Sequence, residues 1–216
     1  MLRRITFSPD ESYHIYNRGV DKRQIFFDTK DHERFIKLLF IANNTEPIRF
    51  EEVKNKELKD IKIKKQLVSI GAWCIMPNHF HLLLKEKEDG GITIFMKKLL
   101  TGYSMYFNTK HQRRGALFEG RFKAQHLDND NYLKHQYSYI HLNPIGIIDK
   151  DWKNKKINNL NEAKKYIENY KYSSYFDYAK ESERDEVLIL SKEAFPKYFE
   201  TKSDFKNLLE SWLSQP

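Results

Sequence analysis

One cysteine, Cys74, is all that 216 residues contain. A disulfide within the chain is therefore excluded, and zinc sites built on thiolates nearly so. Long apolar runs are missing as well: none approaches the ~20 residues of a membrane span. The opening stretch MLRRITFSPDESYHIYNRG is basic but has no apolar segment of a secretory signal. No internal repeat is visible. These absences lead to the expectation of a cytoplasmic protein with no membrane partner.

Acidic residues are scarce in one region. The net charge is +8, yet from residue 181 onward 8 acids face 5 bases, so the first 180 residues carry about +11. Between Lys97 and Lys123 there are 7 Lys or Arg and a single acid, Glu119. Tyr103, Tyr106, Phe107, Phe118 and Phe122 are interleaved with them. Such a surface suits phosphate tracking and base stacking. Charge by itself serves solubility equally well.

What is present suffices for one cored domain, at 40% hydrophobic and 14% aromatic residues. Residues 12–20 read as a strand that stops at Gly19. Residues 31–44 read as an amphipathic helix capped by Asp31. The stretch 45–66 is almost all charged and polar and reads as a surface insertion. Residues 67–77 form an apolar central strand, Pro77-Asn78 a turn, and 79–86 the antiparallel return strand. A helix is expected over 92–111, an extended segment over 116–127, and a helix over 131–143 capped by Asp128 or Asp130 and ended by Pro144. The order βαββαβ plus a helix predicts an α+β, ferredoxin-like or RRM-like split βαβ sheet.

The run IMPNHFHLLL carries the first chemical signal. In a strand, side chains at i and i+2 share a face, so His79 and His81 stand together while Phe80 points the other way. Two imidazoles make half a metal site and need a further ligand. The helix over 131–143 offers one, because Tyr132, Gln136, Tyr139 and Asn143 fall on one stripe. Each tyrosine has an amide four residues on, and spacing does not choose between the two pairs. His135 and His141 lie off the stripe, and His141 reads as a solvated or backbone-bonded histidine.

WCIMPNHFHLLL, GALFEGRFKAQHLDNDNYL, YSYIHLNPIG and YKYSSYFDY, in that order, resemble the single-tyrosine HUH transposases, and within them the REP-associated group of the insertion-sequence-200 type. The resemblance runs from about Tyr13 to Tyr178. It implies that His79 and His81 are metal ligands, that Tyr139 is the nucleophile and that Asn143 completes the ligand set, with Tyr132 and Gln136 as the alternative pair. It further implies cleavage and rejoining of single-stranded, hairpin-forming DNA through a 5′-phosphotyrosine, with Mg²⁺ or Mn²⁺. Two imidazoles alone would suit zinc equally well. A nuclease domain over residues 1–148 would then be followed by a mostly helical extension over 149–216, in a monomer or homodimer.

Arg18, Lys97, Lys98, Arg113, Arg114, Arg121 and Lys123 are the candidate DNA contacts. Tyr172, Ser173, Ser174 and Tyr175 match a family segment and are expected only to pack. Two rival functions fit the same residues: a non-catalytic module that binds hairpin DNA or RNA, and a zinc-dependent nuclease that uses water. Only the tyrosine enzyme forms a covalent protein–DNA adduct.

Overall fold

Apolar runs in three segments form the covered strands of a sheet, and a short polar fourth strand lies exposed at its edge. The computed structural model describes residues 6–154, 157–179, 184–198 and 201–214. Strands β1 (Ser12–Arg18), β2 (Val68–Met76), β3 (His79–Glu86) and β4 (Lys123–His126) form one antiparallel sheet in the order β2-β3-β1-β4. Helices α1 (Thr29–Ile41) and α2 (Gly91–Lys110) connect them across one face. This is the expected α+β, ferredoxin-like split βαβ arrangement.

Ile15, Trp73, Ile75, Phe80, Leu82 and Leu84 point into the main core, against Phe35, Leu39, Phe95, Leu99 and Tyr103 of α1 and α2. Ala72, Cys74, Met76 and Leu83 point to the other face. There helix α3 (Asp130–Leu142) covers them with Leu133, Tyr137 and Ile140. Every residue of β2 is buried because both of its faces are roofed. The β2–β3 register slips at Gly71, and a Cβ there would come within 2.8 Å of the Phe195 ring and 2.9 Å of the Tyr137 hydroxyl. The bulge thus lets the second layer approach closely.

Several local expectations are corrected. The cap of α1 is Asp28, whose side chain accepts from the Asp31 amide. Asp31 is buried instead, accepting from the Phe27 amide at 2.8 Å, the Tyr106 hydroxyl at 2.9 Å and the Lys110 ammonium at 2.7 Å. The cap of α3 is Asn129, between the two aspartates expected there, accepting from the Tyr132 amide at 2.9 Å. Pro144 keeps helical dihedrals and starts a further short turn, Ile145–Ile148. The charged insertion is not purely a surface feature. Val53, Leu58 and Ile61 sink into the main core, and the Lys37 ammonium binds the carbonyls of Val53, Lys54 and Lys56.

Beyond residue 148, helices α4 (Leu160–Asn169), α5 (Tyr175–Ala179) and α6 (Lys202–Ser214) share a core with the end of α3 through Leu142, Trp152, Ile167, Phe205 and Leu209. The connecting chain covers the outer edge of β2. Ile75 donates its amide to the Tyr172 carbonyl, and Ser174 and Ser191 donate theirs to Trp73 and Ile70, each at 2.9 Å. The unpaired edge is thereby satisfied. The acidic tail begins at Glu181, outside the described residues. Among the described residues, no helix is long and apolar enough to cross a membrane.

Candidate active site

Strand pairing decides which side chains meet. His81 lies opposite Tyr16 and His79 opposite Arg18 across β1–β3, and Tyr16 lies opposite Lys123 across β1–β4. His14, Tyr16, Arg18, His79, His81 and Lys123 therefore share one face of the sheet. His14 joins the expected pair as a third imidazole. Its Nε2 stands 2.8 Å from His81 Nδ1, with the two rings stacked at 5.0 Å. The His79 and His81 rings are 5.0 Å apart and perpendicular.

Burial keeps these imidazoles neutral. His14 is pushed down to about 3 and His79 to about 4, mainly by loss of water and then by the charge of Lys153. His81 is driven well below its ordinary value by burial and then by its two histidine neighbours. His79 Nδ1 lies 2.6 Å from Asn78 Oδ1, so this nitrogen donates and Nε2 keeps the lone pair. His81 Nε2 is buried without a partner. If His81 Nδ1 donates to His14 Nε2, that orphaned nitrogen is a lone pair suited to a cation.

Helix α3 brings Tyr139 over the same face. Its ring meets those of His81 and His14 edge-on, at 5.6 Å and 5.8 Å, and stacks on Trp152 at 5.9 Å. Its hydroxyl accepts a hydrogen bond from the Lys153 ammonium at 2.8 Å. Asn143, one turn on, is buried and donates Nδ2 to the Tyr139 carbonyl at 2.7 Å, so Oδ1 is the side-chain atom that could accept or ligate. Tyr132 is half-buried toward the start of α3, with no ring contact to a histidine among the described residues. Gln136 is buried and its Nε2 has no partner.

His141 is fully buried off the stripe. Nδ1 donates to the Tyr137 carbonyl at 2.8 Å, and Nε2 accepts from the Ser174 hydroxyl at 2.7 Å. The backbone-bonded reading of His141 holds. Ser174 does more than pack, because it ties α3 to the edge of β2.

The candidate DNA contacts divide into two groups. Lys123 and Arg121 are exposed on or beside edge strand β4, and Arg18 pairs with Glu119 nearby. Arg114 is exposed in the loop after α2, while Arg113 leans over Phe107. Lys97 is exposed on α2, in the layer opposite the histidines. Lys98 is committed to the carbonyls of Asn44 and Thr45. Of the interleaved aromatics, Tyr103, Phe107 and Phe118 are core residues, so base stacking there is restricted to Tyr106 and Phe122.

Among the described residues, no group of three or more His, Cys, Asp or Glu side chains is placed to hold a metal. The available set is two neutral imidazoles and the amide oxygen of Asn143. An orphaned ring nitrogen on His81 and a defined proton on His79 fit a divalent cation that also takes oxygen ligands. A hydrogen bond from the other ring nitrogen fixes the orientation of a metal-ligating histidine, and His14 and Asn78 stand where the usual carboxylate or carbonyl would.

Sequence pattern pointed to His79 and His81 and to the two tyrosine–amide pairs, the family resemblance chose Tyr139 with Asn143, and neither pointed to His14, Trp152 or Lys153, which lie beside them here. The alternation of His14 with Tyr16 was visible; its partner across the sheet was not.

A split βαβ sheet that offers a His-x-His pair to a tyrosine-bearing helix is the framework of small tyrosine transposases. The family model described as transposase IS200 like matches residues 10–143, and the chain belongs to that family of DNA-cleaving and DNA-joining proteins. Among solved structures, a REP-associated tyrosine transposase bound to a REP hairpin is similar in fold. The TM-score is 0.50 at 14% identity, covering 82% of this chain and 84% of that one. No curated protein matches.

Proposed function

We propose that this protein cleaves and rejoins single-stranded, hairpin-forming DNA through a 5′-phosphotyrosine on Tyr139, with His79, His81 and Asn143 holding Mg²⁺ or Mn²⁺. The observation that carries the reading is the lodging of the Tyr139 ring against His81 and His14, with its hydroxyl at the mouth of the histidine face. Residues 1–148 supply the ligands and nucleophile, and the extension over 149–216 closes the site around Tyr139. The family assignment and the hairpin bound to the similar structure support DNA of this kind as substrate.

A phenol is a weak nucleophile at neutral pH, and a phosphodiester repels an incoming oxyanion. A bound divalent cation supplies charge neutralisation at the non-bridging oxygens. The protein's own part is alignment. Helix α3 carries the phenol to the histidine face and its packing holds the attack in line. The Tyr139 oxygen bonds to phosphorus as the 3′ oxygen leaves, and the energy of the broken ester is kept in the new one. Rejoining reverses the step without ATP. Arg121, Lys123 and Arg18, beside the histidine face, are the phosphate contacts that fix the strand.

The test is incubation of labelled hairpin DNA with the protein and Mn²⁺, followed by a denaturing gel. A slow-migrating protein–DNA species is expected from the unaltered protein and none from Tyr139→Phe. Cleavage without adduct would instead support a water-using nuclease, and binding without cleavage a recognition module.

A further inference from the structure

Lys153 lies outside every motif in the sequence and beyond the segment matched by the family model. Its ammonium nevertheless donates to the Tyr139 hydroxyl at 2.8 Å and stands 5.1 Å above the Tyr139 ring. It is delivered there by a fixed piece of backbone. The preceding residue, Trp152, is buried and stacks on Tyr139, and the Asp151 amide donates to Asp149 at 3.1 Å. Gly146 makes room for this seat, since a Cβ on it would come within 2.8 Å of Trp152 Nε1. No carboxylate pairs with Lys153 among the described residues, and its hydrogen-bond partner is the Tyr139 hydroxyl, with the Tyr139 and Trp152 rings beside it. A cation held against a phenol and two aromatic rings lacks a counter-charge until an anion arrives.

We propose that Lys153 is a catalytic residue of strand transfer, its ammonium bonding the Tyr139 phenol oxygen and meeting the charge on that oxygen in both directions of the reaction. This rests on Tyr139 as the nucleophile. In cleavage the Tyr139 O–P bond forms and the P–O3′ bond breaks. The phenol proton passes to water, the 3′ oxygen takes a proton from water, and Lys153 keeps its own throughout. In rejoining the phenolate is the leaving group, and the same ammonium receives it. Charge-assisted bonds of this kind are the stronger ones, and their weight rises when substrate excludes water.

The Lys153 side chain is exposed, so replacing it does not open the core. The experiment compares the unaltered protein with Lys153→Met and Lys153→Arg in single-turnover adduct formation at saturating labelled hairpin DNA and Mn²⁺, with DNA affinity measured separately without metal. Met is expected to slow adduct formation about 100-fold, with affinity changed less than about 3-fold, since one phosphate contact among several is the most it could remove; Arg is expected to recover most of the rate. A second substrate carries sulfur in place of the bridging 3′ oxygen, a leaving group that needs no proton. The Met defect should persist on it, because the fault lies at the nucleophile. Adduct formation by Lys153→Met at the unaltered rate overturns the role of Lys153 alone, as does a defect that disappears on the sulfur substrate. A loss confined to DNA affinity reduces Lys153 to a phosphate contact and also overturns it. Absence of adduct from the unaltered protein overturns the tyrosine reading, and Lys153 with it.

Discussion

His14 and His81 are 67 residues apart in sequence and 2.8 Å apart in space. That distance explains why half of the site was legible and half was not. His79 and His81 are visible because a strand has period two and the pair needs no knowledge of neighbours. His14 acts through the β1–β3 register, and Lys153 through a turn pinned by a buried tryptophan. Neither relation leaves a mark on local spacing. Replacing His14 with Phe keeps the ring that packs on Tyr16 and Tyr139 but removes the nitrogen that orients His81. Mn²⁺ affinity is expected to fall about 10- to 100-fold, read by calorimetric titration. Unchanged affinity would mean that His81 is oriented by packing alone.

Among elements, strands and long helices were legible because their apolar periods are long and regular. Caps were not, because Asp28 competes with Asp31 and Asn129 with two aspartates, and only the direction of one side-chain bond separates them. The insertion over 45–66 hides three core residues among charges at irregular intervals, so no period revealed them. The segment around residues 171–177 was legible as a motif but not as a clamp. There Arg184 pairs with the buried Asp177 carboxylate at 2.8 Å and 2.5 Å and also holds the carbonyls of Lys171 and Ser173. This secures Ser174 against His141 and hence α3 against the sheet. Arg184→Met leaves the fully buried Asp177 side chain unpaired. A loss of about 3–5 kcal/mol in urea unfolding is expected, and a loss below about 1 kcal/mol would place the clamp among ordinary surface pairs.

Among the described residues, five imidazoles are held below their ordinary pKa chiefly by loss of water: His14, His32, His79, His81 and His141, the last pushed down to about 3. Their folded values lie below the unfolded value of 6.5, so their full contribution to stability is present above pH 6.5. It is lost as pH falls toward the folded values, because the unfolded chain binds protons that the fold refuses. By pH 5 each costs at most about 2 kcal/mol. The metal-free protein should therefore show a markedly lower urea midpoint at pH 5 than at pH 7. Equal midpoints would mean that water reaches these rings.

The placement of chemistry on the second face of the sheet, between α3 and the extension, is tested most directly by locating the adduct. Lys134 separates the two tyrosines that spacing could not distinguish, so trypsin leaves Tyr132 in the peptide 124–134 and Tyr139 in the peptide 135–150. After reaction with hairpin DNA and Mn²⁺, nuclease trimming and tryptic digestion, fragment-ion mass spectrometry should find the nucleotide on Tyr139. A nucleotide on Tyr132 would reverse the assignment and make Gln136 the amide ligand in place of Asn143, and a reaction that cuts DNA while leaving both peptides unmodified would contradict tyrosine chemistry on this helix.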